Sequence, residues 1–121
     1  MLDMDPIRIM RFWDKVDRKN GPNPLGDDDP CHNWTKGLNR YGYGQYRVGD
    51  RVIQTHIIAW ELVKGEEPKK YDEEGRRLIL DHRCRNRRCC NPDHLQLITI
   101  GENTFRGARH GAVYFDLAAA S

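Results

Sequence analysis

The stretch Leu80-Asp81-His82-Arg83-Cys84-Arg85-Asn86-Arg87-Arg88-Cys89-Cys90-Asn91-Pro92-Asp93-His94 gathers two histidines, three cysteines, four arginines and a turn-forming Asn-Pro. Within it Cys84, Cys89 and His94 stand at an even C-x4-C-x4-H spacing. Thiolate sulfur and imidazole nitrogen are ligands that zinc takes, and a structural zinc site closes on four of them in a tetrahedron. Three come from this loop. Cys31, the one cysteine outside the stretch, is the obvious fourth. The loop is too polar and too rich in arginine to close by itself, and a metal can contribute ~10 kcal/mol or more to such a fold. Cys90 is spare in this scheme, or exchanges with Cys89. The competing reading is four ordinary buried cysteines, which makes the spacing a coincidence.

Two flanking features do not belong to a purely structural site. Asp81 and His82 precede the loop, and Asn103 follows it at the expected start of a helix. A neutral imidazole near pH 7 can take a proton from water, so His82 is a candidate general base; a histidine at a strand end can equally be a packing residue. Asn103, just after Gly101, also suits a helix N-cap.

Taken together, the Asp-His pair, the zinc-ligand loop and the downstream Asn resemble the HNH nucleases. The C-x4-C-x4-H loop is most similar to the His-Cys box homing endonucleases and the related phage HNH proteins. The resemblance spans Cys31 to Gly107. It implies an α+β fold: a ββα-metal (His-Me finger) nuclease core with a structural zinc loop, preceded by a helix and a small antiparallel hairpin. It also implies Cys31 as the distant zinc ligand and His82 as the base that activates water. Asn103 would hold magnesium through its side-chain oxygen, with Asp81 as an acidic metal ligand. His-Cys box members manage without that carboxylate, and an adjacent Asp can instead orient a ring. The implied substrate is double-stranded DNA, cut near its minor groove to leave 5′-phosphate and 3′-hydroxyl ends.

At 121 residues the chain is expected to form one domain with a modest core, where an internal metal staple is useful. We divide it into residues 1–30 (helix and loop), 31–75 (sheet and helix), 76–108 (the metal-binding core) and 109–121 (tail). No apolar run approaches a membrane span, and the N-terminus lacks the order of a signal peptide. A cytoplasmic location in a bacterial or phage-infected cell is therefore expected, where cysteines serve as metal ligands more often than as disulfides.

The net charge of +2 hides an asymmetry. Residues 76–109 hold eight arginines against Asp81, Asp93 and Glu102, a net +5, while Asp27–Asp29 and Glu66–Glu74 carry the acidic balance. Guanidinium forks match phosphate, so Arg83, Arg85, Arg87, Arg88 and Arg106 are candidate backbone clamps. Arg40, Arg47 and Arg51 on the expected hairpin either read bases, grip phosphate, or decorate an exposed sheet face among Tyr41, Tyr43 and Tyr46. A plain solvated face is the alternative for the whole cluster.

Along the chain, Asp5 and Pro6 open an amphipathic helix expected to reach Lys19, with Phe12 and Trp13 in the core rather than stacking on bases. Asn20 to Pro30 reads as a loop; its three aspartates lack the spacing of a calcium loop. Strands are expected from Cys31 to Thr35, with Trp34 inward, and from Gly42 to Val48. Gly49-Asp50 turns the chain into Arg51–Gln54. Thr55 is the expected cap of a mostly buried helix, His56 to Lys64, ended by Gly65. After a polar connection, 66–75, a strand Arg77–Leu80 delivers Asp81 and His82. Leu95–Ile100 pairs with it, and a helix from Gly101 runs to about Ala108. His56 reads as structural, His110 as a tail residue within reach of the metal or of solvent, and His32 has no assignment. The tail offers Val113–Ala120 as a docking segment, for instance in a homodimer. The alternative to a nuclease is a non-catalytic zinc-stabilised nucleic-acid-binding module, or a structural zinc protein within an assembly.

Overall fold

Asp5 and Pro6 fix the start of α1 (Pro6–Trp13): the Asp5 carboxylate accepts the Arg8 N–H at 2.8 Å, and Pro6 sits where a missing N–H costs nothing. The computed structural model describes residues 2, 4–25 and 29–102. Asp27, Asp28, Asn103, Arg106, Arg109, His110, the rest of the expected last helix and the tail lie outside them.

The helix ends six residues earlier than its periodicity suggests. Val16–Asp17 forms β1 instead, antiparallel to β2 (Asn33–Trp34), with the Thr35 N–H donating to the Lys15 carbonyl at 2.9 Å. Helix propensity is a weak preference, and pairing with a distant strand overrides it here. β2 is likewise shorter than the expected strand from Cys31 to Thr35.

β3 (Gln45–Val48) and β4 (Arg51–Gln54) make a hairpin around Gly49-Asp50, in which Gly49 takes φ 65°. The expected strand start at Gly42 is a turn. The Asn39 side-chain oxygen accepts the N–H groups of Tyr41 and Tyr43, bending the chain before the hairpin.

β4 runs directly into α2 (Thr55–Lys64). Gln54, not Thr55, is the N-cap, and no side chain caps that end. The reason is the sheet: Gln54 still pairs with Gln45, and the Thr55 N–H donates to the Gly44 carbonyl at 3.0 Å. Gly65, at φ 75°, closes the helix as expected. Its inner face carries His56, Ile58, Ala59 and Glu61, while Val63 points outward, 57% exposed. Glu61 is buried and accepts the Leu2 N–H at 3.0 Å; burial raises its carboxyl pKa.

Phe12 and Trp34 stack at 5.3 Å in the centre of the core, with Tyr46 edge-on to both. Val16, Val48, Ile53, Ile58, Ala59 and Cys90 surround them, and Trp13 packs on the outside. Phe12 is thus a core residue and has no face to offer a base.

β5 (Leu78–His82) and β6 (Leu95–Thr99) form a second antiparallel ribbon, in register from Leu78↔Thr99 to His82↔Leu95. Pairing carries through Asp81 and His82, which were expected just beyond the strand. Residues 100–102 turn helical, one residue before Gly101. Before β5, the Asp72 carboxylate collects the Arg76 N–H and guanidinium and orders the exposed connection. No helix among the described residues is long and apolar enough to cross a membrane.

Gly44 passes close to both Trp34 and the start of α2. A Cβ there would fall on the Thr55 hydroxyl and on the Trp34 ring. Gly44→Ala is expected to lower stability by about 1–3 kcal/mol, read as a fall in urea midpoint at constant m. Gly37→Ala, which meets nothing within 4 Å, is the control.

His56 makes stability depend on pH. Burial holds it well below the usual histidine range, with the His82 charge a smaller cause. The unfolded chain therefore takes up a proton below pH ~6.5 that the folded chain refuses. Stability is full above that pH and falls as pH drops. The urea midpoint should decline from pH 7.5 to 5.5, and less steeply in His56→Phe.

Candidate metal centre and active site

Residues 32–34 run alongside residues 88–90. The Cys90 N–H donates to the His32 carbonyl at 2.6 Å, the Trp34 N–H donates to the Arg88 carbonyl at 2.8 Å, and Asn33 bridges to Cys89. Arg88 adds a fork, its Nε and Nη2 donating to the Trp34 carbonyl at 3.2 and 3.0 Å. Asn86 joins by donating from Nδ2 to the Asn33 side-chain oxygen at 2.6 Å. This pairing draws Cys31 onto the loop although more than fifty residues separate them in sequence.

Gly21 permits the approach. A Cβ on it would collide with the Cys31 carbonyl, and the Cys31 N–H donates to the neighbouring Pro22 carbonyl at 2.7 Å. On the other side, Asn91 is buried. Its Nδ2 donates to the Pro30 carbonyl at 3.2 Å and its Oδ1 accepts the Asp93 N–H at 3.0 Å. That second bond caps the short 3-10 turn Pro92–His94, which turns His94 inward.

The result is a buried group of Cys31, Cys84, Cys89 and His94 whose ligand atoms all lie within 4.8 Å of one another. The His94 Nδ1 stands 3.5 Å from the Cys31 Sγ and 3.6 Å from the Cys89 Sγ. Zinc–sulfur and zinc–nitrogen bond lengths give a tetrahedral S···N edge of about 3.6 Å, so the four side chains fit that ion. The other ring nitrogen, Nε2, lies 2.7 Å from the Asp29 carbonyl. Donation there fixes the tautomer and leaves the Nδ1 lone pair for a metal.

The thiols reinforce this reading. Burial raises Cys31, and Cys89 is raised by its hydrogen bond to Cys84 and by burial, while the bond from Cys89 lowers Cys84 to about 5. One thiolate is favoured and the others resist ionising beside it. A dication is the partner that lets all three coordinate.

Cys90 takes no part. Adjacent residues of an extended segment point in opposite directions, and Cys90 faces the Phe12–Trp34 core, where burial raises its thiol to about 11. Exchange with Cys89 is thereby corrected: Cys90 is a core residue.

His82, the last residue of β5, is 4% exposed. Its Nε2 lies 3.0 Å from the Cys89 carbonyl. A carbonyl only accepts, so Nε2 carries the proton and Nδ1 is the basic nitrogen. Behind it stand His56, ring centroid at 4.6 Å, and Tyr43 at 5.9 Å. Asp81 is also buried; its Oδ2 accepts from the Gln96 side chain at 3.0 Å and its Oδ1 lies 3.6 Å from the Arg85 Nη1. Arg85 adopts φ 59°, a left-handed conformation that a non-glycine residue holds only at a cost.

The other loop arginines are partly engaged. Arg83 donates to the Asp93 carbonyl at 3.0 Å. Arg87 donates to the Tyr41 carbonyl at 2.8 Å with its guanidinium over the Tyr43 ring. On the hairpin, Arg47 and Arg51 are exposed, and the Arg47 Nε donates to the Gly49 carbonyl at 3.2 Å. A guanidinium has five N–H donors in a planar fork, a shape that suits phosphate.

Sequence reasoning reads His56 as structural, which its burial fits, but it finds neither the contact of His56 and Tyr43 with His82 nor the Asp29 carbonyl on His94. A backbone acceptor leaves no side-chain signature, and nothing in the spacing of His56 and His82 announces that they meet.

The purified chain is expected to hold one zinc, measured by mass spectrometry of the metal against protein concentration. Cys31→Ser and Cys84→Ser should lose it, whereas Cys90→Ala should retain it. A metal contribution of ~10 kcal/mol rivals the whole stability of a typical domain, so strong chelation should unfold the chain. Loss of zinc in Cys90→Ala, with the fold intact, would contradict this ligand set.

Residues 54–104 match the family model described as HNH endonuclease. The chain is 40% identical over 63 residues to the "Uncharacterized gene 5.3 protein" of Enterobacteria phage T3, covering 51% of this chain and 55% of that protein. It is 32% identical over 76 residues to "Protein 7.7" of Escherichia phage T7, covering 63% and 53%. With "Protein 2.8" of the same phage it shares 30% over 76 residues, covering 61% and 46%. The chain thus spans about half the length of the curated relatives it matches. No solved structure matches it. The segment matching the HNH endonucleases carries α2, β5, β6 and three of the four cysteine-histidine ligands.

Proposed function

We propose that this chain is a metal-dependent DNA endonuclease of the phage HNH type, acting in a phage-infected bacterial cell. One observation carries the reading: a buried histidine at the end of β5 has its Nε2 on a loop carbonyl, and that loop belongs to the cysteine-histidine centre. The tautomer is set by the same loop that the metal would fix. The match of residues 54–104 to HNH endonucleases supports it.

In this reading the Nδ1 of His82 takes a proton from water as that water forms its bond to phosphorus. The bond from phosphorus to the 3′ oxygen breaks, the leaving oxygen gains a proton from solvent, and the ends are 5′-phosphate and 3′-hydroxyl. Asp81 and Asn103 are the hard oxygen donors that would hold magnesium, which takes few protein ligands. Such a cation supplies neutralisation of the charge developing on the leaving oxygen. Gln96 orients the Asp81 carboxylate. Arg83, Arg85, Arg87, Arg106, Arg47 and Arg51 position the duplex through its phosphates, and Arg88 chiefly holds β2 to the loop. Cutting both strands would take two copies related by a two-fold axis.

A general base contributes about 10²–10⁴-fold, so His82→Ala should lose at least a hundredfold in the cleavage of supercoiled plasmid with magnesium while keeping its zinc. Wild type and variant that bind DNA equally and both leave the plasmid intact would instead favour a non-catalytic zinc module. Equal cleavage by both would exclude His82 as the base.

A further inference from the structure

His56 is fully buried, and neither of its ring nitrogens has a hydrogen-bond partner among the described residues. The Leu80 backbone lies near enough to favour the charged form slightly, without the geometry of a bond. A buried imidazole left in this state costs stability. That cost calls for a physical reason to keep a flat ring at this place.

Its surroundings supply one. His56 stands one residue into α2, and the start of that helix is tied to the hairpin by the Thr55–Gly44 backbone bond. From there the ring reaches across to β5 and lies 4.6 Å from the His82 ring, at an interplanar angle of 48°. Tyr43 closes the third side, 5.5 Å from His56 and 5.9 Å from His82. Arg87 lies over the Tyr43 ring and donates to the Tyr41 carbonyl, which holds the tyrosine segment against the loop. Three rings from three segments of the chain therefore pack together, and His82 among them makes a hydrogen bond to the cysteine-histidine loop.

We propose that His56 is a positioning residue for His82: the face of its neutral ring, backed by Tyr43, keeps the His82 imidazole on the Cys89 carbonyl. This inference rests on His82 being the general base. The ring acts by filling space, since its nitrogens make no bond of full geometry to a described residue. Removing it would leave His82 free to rotate, so that Nε2 leaves the carbonyl and the basic nitrogen is no longer presented to water. Small misplacements of a catalytic group can cost up to about a hundredfold in rate.

The test uses the zinc-loaded full chain carrying His56→Ala or His56→Phe. Nitrogen-15 correlation spectra of the imidazoles report the His82 tautomer whether or not the protein cleaves DNA. Wild type and His56→Phe should show a single tautomer protonated at Nε2, and His56→Ala a mixture. In plasmid cleavage, His56→Ala should lose about tenfold or more in kcat, with KM for DNA and zinc content unchanged, and His56→Phe should recover most of it. An unaltered tautomer in His56→Ala would overturn the proposal. So would a kcat loss in His56→Phe as large as that in His56→Ala, since the nitrogens would then matter. A tautomer change in a wild-type background that cuts no DNA would sustain the packing role and reject the nuclease reading.

Discussion

The backbone pairing of residues 32–34 with residues 88–90 is the constraint on which the rest depends. It joins the first half of the chain to a loop with almost no apolar surface of its own. Arginines and asparagines cannot drive such a closure by the hydrophobic effect. Hydrogen bonds to carbonyls do so instead, and they bring Cys31 beside Cys84, Cys89 and His94. Because Cys89 and Cys90 point to opposite sides of the same segment, one strand-like stretch serves two purposes. It presents a thiol to the ligand group and a thiol to the aromatic core.

That arrangement ties the candidate active site to the structural centre. The Cys89 backbone carbonyl sets the His82 tautomer, while its sulfur belongs to the ligand group. Distortion of the loop would therefore reach His82 through a single residue. Asp81 is governed from the opposite side, by Gln96 on β6 and by Arg85 just past the strand. Neighbours in sequence, Asp81 and His82 thus answer to different parts of the fold.

How much of this was legible in the sequence follows from range. Cys84, Cys89 and His94 announce themselves because their spacing is local, and Cys31 followed by elimination. The hairpin at Gly49-Asp50, the Asp5 cap and the glycine stop at Gly65 are equally local signals, and they hold. The strand start expected at Gly42 yields to a local turn at Asn39, while two other misread boundaries lie where distant backbone intervenes. Val16 leaves its helix to pair with Trp34, and Gln54 displaces Thr55 as the cap because a strand bond extends one residue further. The contact of His56 with His82 and the Asp29 carbonyl on His94 join residues too far apart to leave any pattern. Asn103, read from the family resemblance, and Arg106, read from the arginine cluster, lie outside the described residues.

Cys31 and His94 lie 63 positions apart, and between them runs the exposed connection 66–75. A metal held by that pair would turn the intervening chain into a closed ring. Continuity of the polypeptide inside the ring would then be dispensable for keeping its ends together. A protease that opened the ring within 66–75 would yield two fragments on a denaturing gel but one particle in solution. Coordination bonds and the two-stranded pairing would substitute for the severed peptide bond until a chelator released the halves.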